Sequence, residues 1–559
     1  MRPSVPSLLL LLLLAACAPG ATEIPAPTPP PDTTTPAAPV SDREPSPPAD
    51  EDTARPAATG LTEAPDAWQN LDLELDGVPG TSADRAIREL LAGREPGRTV
   101  VVAVIDGGVD TAQVDLRGAL WENPDEIAGN GVDDDANGYV DDVHGWNFLG
   151  GPDGRSVDEE RLEVTRLHAA CLRGTTPAGY DCQELDRAFE EERQDIAGLA
   201  QQVEQIRGAM DVIVPMLQQA TGAEELTPEA VRELETSDPR MTQARDLYLQ
   251  LDAAGIDEGA LEDAEEEVTD QLEYGLNVDF DPRGIVGDDP SDGSERIYGN
   301  ADVTGPDASH GTHVAGIIAA ARGNGVGMDG IAAPNVRIMS VRAVPNGDER
   351  DKDVANAIRY AVDEGADIIN MSFGKSFSPE KRLVDAAVRY ADENGVLLVH
   401  AAGNDGADLE TEDNFPNPRY EDGGQAANWI AVGASNWVVD SLAASFSNYG
   451  RTRVDVFAPG VAILSTLPGD EWDRQDGTSM AAPVVTGVAA LIMAYFPDLT
   501  ASQVRDILLD SAVRYADQRV VPPGDGTAPV AFGTLSVTGG VVNAYEAVRL
   551  ASQRASSGG

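Results

Sequence analysis

The stretch Val100-Val101-Val102-Ala103-Val104-Ile105, closing on Asp106-Gly107-Gly108, decides the fold. An unbroken apolar, mostly β-branched run is the pattern of a strand buried on both faces of a parallel sheet. Helices must then cover both faces, so the sequence predicts an α/β protein with a mainly parallel sheet flanked by helices in three layers. In such sheets, functional side chains gather where strands end at their carboxyl edge. Asp106 stands at that edge, although Asp is also a common turn former.

Working outward, Ser309-His310-Gly311-Thr312-His313-Val314-Ala315-Gly316 runs on into Ile317-Ile318-Ala319-Ala320. The small, apolar tail reads as a buried helix with histidines in its first turn. His310 and His313 could hold a metal, but no HExxH pattern follows and the other histidines are only His144, His168 and His400. Further on, Asp476-Gly477-Thr478-Ser479-Met480-Ala481-Ala482-Pro483 places a serine on a Gly-led turn that opens an apolar helix. Such a serine has an exposed hydroxyl and a free amide; on its own it reads equally as an N-cap.

Together, in the order Asp, His, Ser, the three segments resemble the subtilase (subtilisin-like, S8-type) serine proteases. Their signatures are a strand ending in Asp-x-Gly, then His-Gly-Thr-His-Val-Ala-Gly, then Gly-Thr-Ser-Met-Ala-x-Pro. The resemblance covers roughly residues 98–150 and 277–550. It implies a subtilisin-like fold and a serine endopeptidase acting on extended polypeptides, with Asp106, His310 and Ser479 as its triad. By the same resemblance Asn404, in Ala401-Ala402-Gly403-Asn404 after the apolar run Val396 to Val399, is the side-chain oxyanion donor beside the Ser479 amide. Ser372, Phe373 and Gly374, ending Asp367-Ile368-Ile369-Asn370-Met371, would pair with substrate as an added strand. Phe373 reads either as the wall of an apolar subsite or as core. Asp405, beside Asn404, would lie at the primary specificity pocket and favour basic or polar side chains there.

Two departures stand out. Gly107 removes the hydroxyl that the family usually places beside the catalytic Asp, and Asp476 stands where a Ser is common. Ser372-Phe373-Gly374-Lys375 also spells S-x-x-K, the nucleophile motif of penicillin-binding enzymes, but the accompanying S-D-N and K-T-G are absent. A catalytically silent or insert-gated subtilase fold, serving as a surface scaffold or adhesion protein, is the rival reading. Retention of Asp106, His310, Asn404 and Ser479 argues against the silent form, whereas the sequence does not separate the gated form from constitutive activity.

The 559 residues carry 39 Lys+Arg against 96 Asp+Glu, a formal net charge of −57. Lysine occurs only at Lys352, Lys375 and Lys381. Such a surface repels phosphate backbones, which excludes nucleic acid and a polybasic membrane patch. Met1 to Cys17 has one Arg, seven leucines and small residues, a signal peptide too short to span a bilayer. Leu14-Ala15-Ala16-Cys17 resembles the lipobox of bacterial lipoproteins, with Cys17 as the lipidated residue. From Ala18 to Pro65 lie 13 of the 38 prolines, a disordered tether. The expectation is an exported protein, lipid-anchored at the bacterial cell envelope and monomeric. Cys171 and Cys182, eleven residues apart, are expected to form a disulfide in that compartment.

The 203 positions between Asp106 and His310 hold two further features. Asp133, Asp135 and Asn137 fit the first half of an EF-hand-type loop, with Tyr139 offering a carbonyl and Asp141 a further oxygen. Five carboxylates within ten residues repel one another unless screened, so a structural Ca2+ is expected, with no cofactor for catalysis. Then Phe189, Ile196, Val203, Met210 and Leu217 recur every seven residues, interleaved with Leu185, Leu199, Ile206 and Ile213 and broken at Glu192. This predicts an inserted helical hairpin with coiled-coil character, its seam covered in cis by later helices. The organisation read from the chain is a leader (1–17), the tether (18–65), a first catalytic part (66–150), an acidic helical insertion (151–276), the remaining catalytic part (277–550) and a flexible tail (551–559).

Overall fold

The structure, a computed structural model, describes residues 61 and 63–557 apart from 254, 333 and 525. The leader with Cys17 and nearly all of the tether lie outside the described residues.

The strands in chain order are β1 (Val100–Asp106), β2 (Gly145–Asn147), β3 (Val336–Arg342), β4 (Ile368–Met371), β5 (Leu397–Ala401), β6 (Trp429–Ser435), β7 (Val456–Pro459), β8 (Ile463–Leu467), β9 (Glu471–Gln475), β10 (Val513–Arg514), β11 (Arg519–Val520), β12 (Val530–Ala531) and β13 (Gly540–Val541). Nine form one sheet in the order β10-β13-β7-β6-β5-β4-β1-β3-β2. All its pairs are parallel except β10 with β13. β8–β9 and β11–β12 are separate antiparallel pairs.

The apolar run around Ala103 lies where the sequence predicts, between β3 and β4. Successive side chains on a strand point to opposite faces, and β1 feeds two cores. Val102 and Val104 pack with helices Ser309–Ala319, Thr478–Tyr495, Ala501–Asp510 and Ala544–Ser557. Ala103 and Ile105 pack with helices Asp351–Asp363 and Lys381–Glu393. The fold is therefore the expected three-layer α/β arrangement. The helix Thr478–Tyr495 is apolar all round because it is the buried centre of the first layer, with 94% of that stretch buried. Upstream of β1, Trp68 is fully buried in the same core, and its indole N–H donates to the Val461 carbonyl at 2.8 Å.

Between β2 and β3 runs a helical arm: Glu163–Leu172, Cys182–Thr221, Pro228–Arg232, Pro239–Ala253 and Glu258–Asp270. The helix Cys182–Thr221 is 40 residues long and continues through Pro215. Its Leu199, Val203, Met210, Ile213 and Leu217 bury against Val231, Leu251, Leu261 and Val268 of the later helices. Those helices cover the seven-residue seam within the chain. The Cys171 and Cys182 sulfurs lie 2.00 Å apart, joining the helix Glu163–Leu172 to the start of the long helix.

Candidate active site

Asp106 ends β1 and is buried. Its Oδ1 accepts from the Gly107 amide at 2.8 Å and from His310 Nδ1–H at 2.8 Å. A carboxylate partner fixes the proton on Nδ1 and leaves Nε2 as the basic nitrogen. That Nε2 is buried and has no hydrogen-bond partner, and the same is true of Asp106 Oδ2. His310 lies in the first turn of helix Ser309–Ala319. Gly311 follows, where a Cβ would come within 2.1 Å of the Gly108 carbonyl and 3.1 Å of Asp106 Cβ. Only glycine lets this helix rest on the Asp106 turn. His313 is turned elsewhere, its Nε2 at 3.1 Å from the Asp473 carbonyl, and burial lowers its pKa to about 3.

Ser479 is the second residue of helix Thr478–Tyr495, after Gly477 with φ 155°. Its hydroxyl donates to the Ser372 carbonyl at 3.1 Å rather than to His310. Pro483, four residues on, has no N–H, so the Ser479 carbonyl lacks its helical partner. Ser372 Oγ supplies one instead, donating at 2.8 Å. Ser372 Oγ in turn accepts from Asn370 Nδ2 at 2.9 Å, and Asn370 Oδ1 accepts from Thr486 Oγ1 at 2.8 Å. These bonds fasten the serine helix to β4.

Asn404 follows β5. Its Oδ1 accepts from the Thr478 amide at 2.9 Å and the Thr478 hydroxyl at 2.8 Å. Two donors on the oxygen fix which end of the carboxamide is which and leave Nδ2 for the cleft. Thr478 Oγ1 also accepts from the Gly403 amide at 3.1 Å. Asn448 braces the same loop, accepting from the amides of Asp405 (3.0 Å) and Ala407 (2.8 Å) and donating to the Ala402 carbonyl (3.0 Å). Sequence reasoning missed both residues. Thr478 had a signal, its place in the serine motif, whereas Asn448 had none.

A cleft of about 300 Å³ joins His310, Ser479, Asn404, Phe373, Gly374 and Asp405. Phe373 is 3% exposed, stands edge-on to the His400 ring and also lines the cleft. Ser372 is tied to the serine helix through both its hydroxyl and its carbonyl. The opposite wall was not foreseen. Leu162, Val164, Glu192, Glu267 and Gln271 of the helical arm line the same cleft. The arm is rooted beside Gly374 through Lys375, which pairs with Glu163 and Asp351 at 2.9 Å each and donates to the Glu349 carbonyl at 2.7 Å. Phe377 packs with Val164, Phe189 and Leu276. Lys375 is thus a buried structural ammonium.

In the acidic loop, Glu126, Asp133 and Asp135 bring carboxylate oxygens within 4.8 Å of one another. Glu126 Oε2 is buried without a partner, so these residues fit a hard cation with oxygen ligands. Asp141 is not among the carboxylates gathered there; its oxygens accept from the amides of Asn130 (3.0 Å) and Gly131 (2.8 Å). Asn137 Nδ2 faces Asp135, Asp142 and Glu364. The Tyr139 ring is buried against Trp146 and Tyr360.

Comparison with known proteins gives a match of the Peptidase S8 profile, the subtilase family, to residues 97–533. The thermophilic serine proteinase of Bacillus sp. (strain AK1) is 48% identical over 185 residues, 33% of this chain and 42% of that protein. Subtilisin NAT of Bacillus subtilis subsp. natto is 40% identical over 208 residues, 37% of this chain and 51% of that protein. The subtilisin of Bacillus pumilus is 40% identical over 208 residues, covering 37% and 70%. The chain therefore spans about half the length of the first two relatives.

Proposed function

This chain belongs to the subtilase family, and on that premise we propose that it is a serine endopeptidase hydrolysing extended polypeptides through Asp106, His310 and Ser479. The observation that carries the reading is the 2.8 Å bond from His310 Nδ1 to Asp106, with Nε2 left without a partner in the cleft that Ser479 lines. Catalysis begins when the Ser479 hydroxyl leaves the Ser372 carbonyl and turns to Nε2, a rotamer change on a picosecond-to-nanosecond scale. As Oγ attacks the peptide carbonyl, His310 takes its proton and Asp106 stabilises the imidazolium. The oxyanion is met by Asn404 Nδ2 and the Ser479 amide. His310 then delivers the proton to the leaving amine, and water repeats the sequence on the acyl-enzyme.

The same reading makes the protein exported, lipid-anchored through Cys17 and monomeric, with the helical arm inserted into the catalytic domain. A calcium ion held by Glu126, Asp133 and Asp135 supplies the charge balance that this loop otherwise lacks. The test is hydrolysis of an unfolded polypeptide by wild type and by Ser479→Ala, with and without calcium. Turnover confined to wild type is expected. Equal turnover by both proteins removes Ser479 from the chemistry.

A further inference from the structure

We propose that Glu192, reaching the cleft from the long arm helix, acts with Asp405 to select substrates carrying an arginine or lysine side chain next to the bond that is cut. The inference deepens the endopeptidase reading and rests on it. Glu192 is where the seven-residue apolar repeat fails, between Leu185 and Phe189 on one side and Ile196 and Leu199 on the other. Phe189 and Ile196 pack at the root of the arm and Leu199 in its own core. The carboxylate between them lines the cleft of His310 and Ser479.

Its surroundings are anionic. Burial, together with the negative charges of Asp348, Asp195 and Asp405, raises the Glu192 pKa to about 7. Asp348 and Asp405 line the same cleft. Asp348 Oδ2 accepts from the Glu163 amide, with the Arg166 and Lys375 charges nearby, whereas Asp405 Oδ2 accepts from the neutral Asn448 Nδ2. Lys375 also lines the cleft, but its ammonium is held by Glu163, Asp351 and the Glu349 carbonyl. A half-buried carboxylate among like charges is costly until an opposite charge joins it. An incoming guanidinium or ammonium is that charge, and it can bridge Glu192 on the arm and Asp405 beside the oxyanion loop. His310 Nε2, buried and unpartnered in the same cleft, marks independently where the peptide arrives.

The experiment uses the whole protein and a fluorogenic peptide series with arginine or its neutral isostere citrulline at each of the four positions flanking the bond. A fluorophosphonate probe reports on Ser479 alongside. Wild type should favour arginine over citrulline at one position by about tenfold in kcat/KM, the scale of one partly desolvated charge pair. In Glu192→Gln and Asp405→Asn that ratio should collapse through KM, Glu192→Asp should restore part of it, and Glu192→Arg should invert it. An arginine-to-citrulline ratio near one in wild type, or one unmoved in Glu192→Gln, overturns the inference while Ser479 still labels. A parallel rise with both peptides in Glu192→Gln also overturns it, since the arm would then be obstructing the cleft. Absence of labelling in wild type overturns the endopeptidase reading itself, and the inference with it.

Discussion

At the scale of single residues, the site turns on atoms that have or lack partners. Asp106 Oδ2 is buried and unpaired, and Gly107 offers no hydroxyl to reach it. A Cβ at Gly107 would meet only the carbonyls of Val344 at 3.4 Å and Asp307 at 3.6 Å, ordinary contacts. Gly107→Ser should therefore fold and give Oδ2 a donor, adding about 1 kcal/mol of stability over Gly107→Ala, read from chemical unfolding. Thr478 acts one step away from the oxyanion. Thr478→Val deletes the hydroxyl that pins Asn404 Oδ1 and should lower kcat about tenfold with little change in KM. Asn404→Ala should cost about 10²–10³-fold, the known effect of losing such a donor in a related subtilase and not a figure derived from this chain. Equal losses for the two variants would mean that Thr478 does more than orient the amide.

At the scale of elements, the joint between the arm and the segment after β4 is a buried charge network. Within it, Glu349 is fully buried and neither carboxylate oxygen has a hydrogen-bond partner. Burial lifts its pKa to about 8, against the opposing pull of Lys375 and with Asp348 adding to the rise. The folded protein thus keeps a proton there that the unfolded chain loses near pH 4.5, so stability falls as pH climbs from about 4.5 to about 8. Glu349→Gln removes that dependence. Its stability relative to wild type should grow by about 5 kcal/mol across this window and stay level above it; a difference flat in pH would show that Glu349 ionises freely. How much could be read from the sequence also varied by element. β1 and the helices of His310 and Ser479 were legible because each is specified by its own local pattern. The arm's seam was legible from its seven-residue period. Glu192 was visible only as a flaw in that period, since what it faces depends on how the arm docks onto Asp348 and Asp405. The bracing bond of the Ser372 hydroxyl was not legible, because Pro483, 111 positions away, frees the carbonyl that it holds. Glu126 lies outside the acidic run that suggested a cation, and only the folded loop brings it to Asp133 and Asp135.

At the scale of the molecule, the charge of −57 has to be managed. Much of it is dispersed on the surface, but the Glu126, Asp133 and Asp135 cluster concentrates three carboxylates beside β2. Calcium should therefore stabilise the fold by about 2.7 kcal/mol at a hundredfold excess over its Kd, seen as a higher melting temperature. Glu126→Gln should abolish most of that gain, whereas Asp141→Asn should retain it. The reverse order would return the ligand set to the one read from sequence. The arm links this scale to the site, because it is pinned to Lys375 and supplies one wall of the cleft.

The central claim is that His310, held by Asp106, activates Ser479, and the most direct measurement is the intact mass of the protein after exposure to a fluorophosphonate. The account predicts one adduct per chain, mapped to the peptide containing Ser479, slowed by orders of magnitude in His310→Ala and absent in Ser479→Ala. Labelling that proceeds at the same rate in His310→Ala, or that falls on another residue, would contradict it.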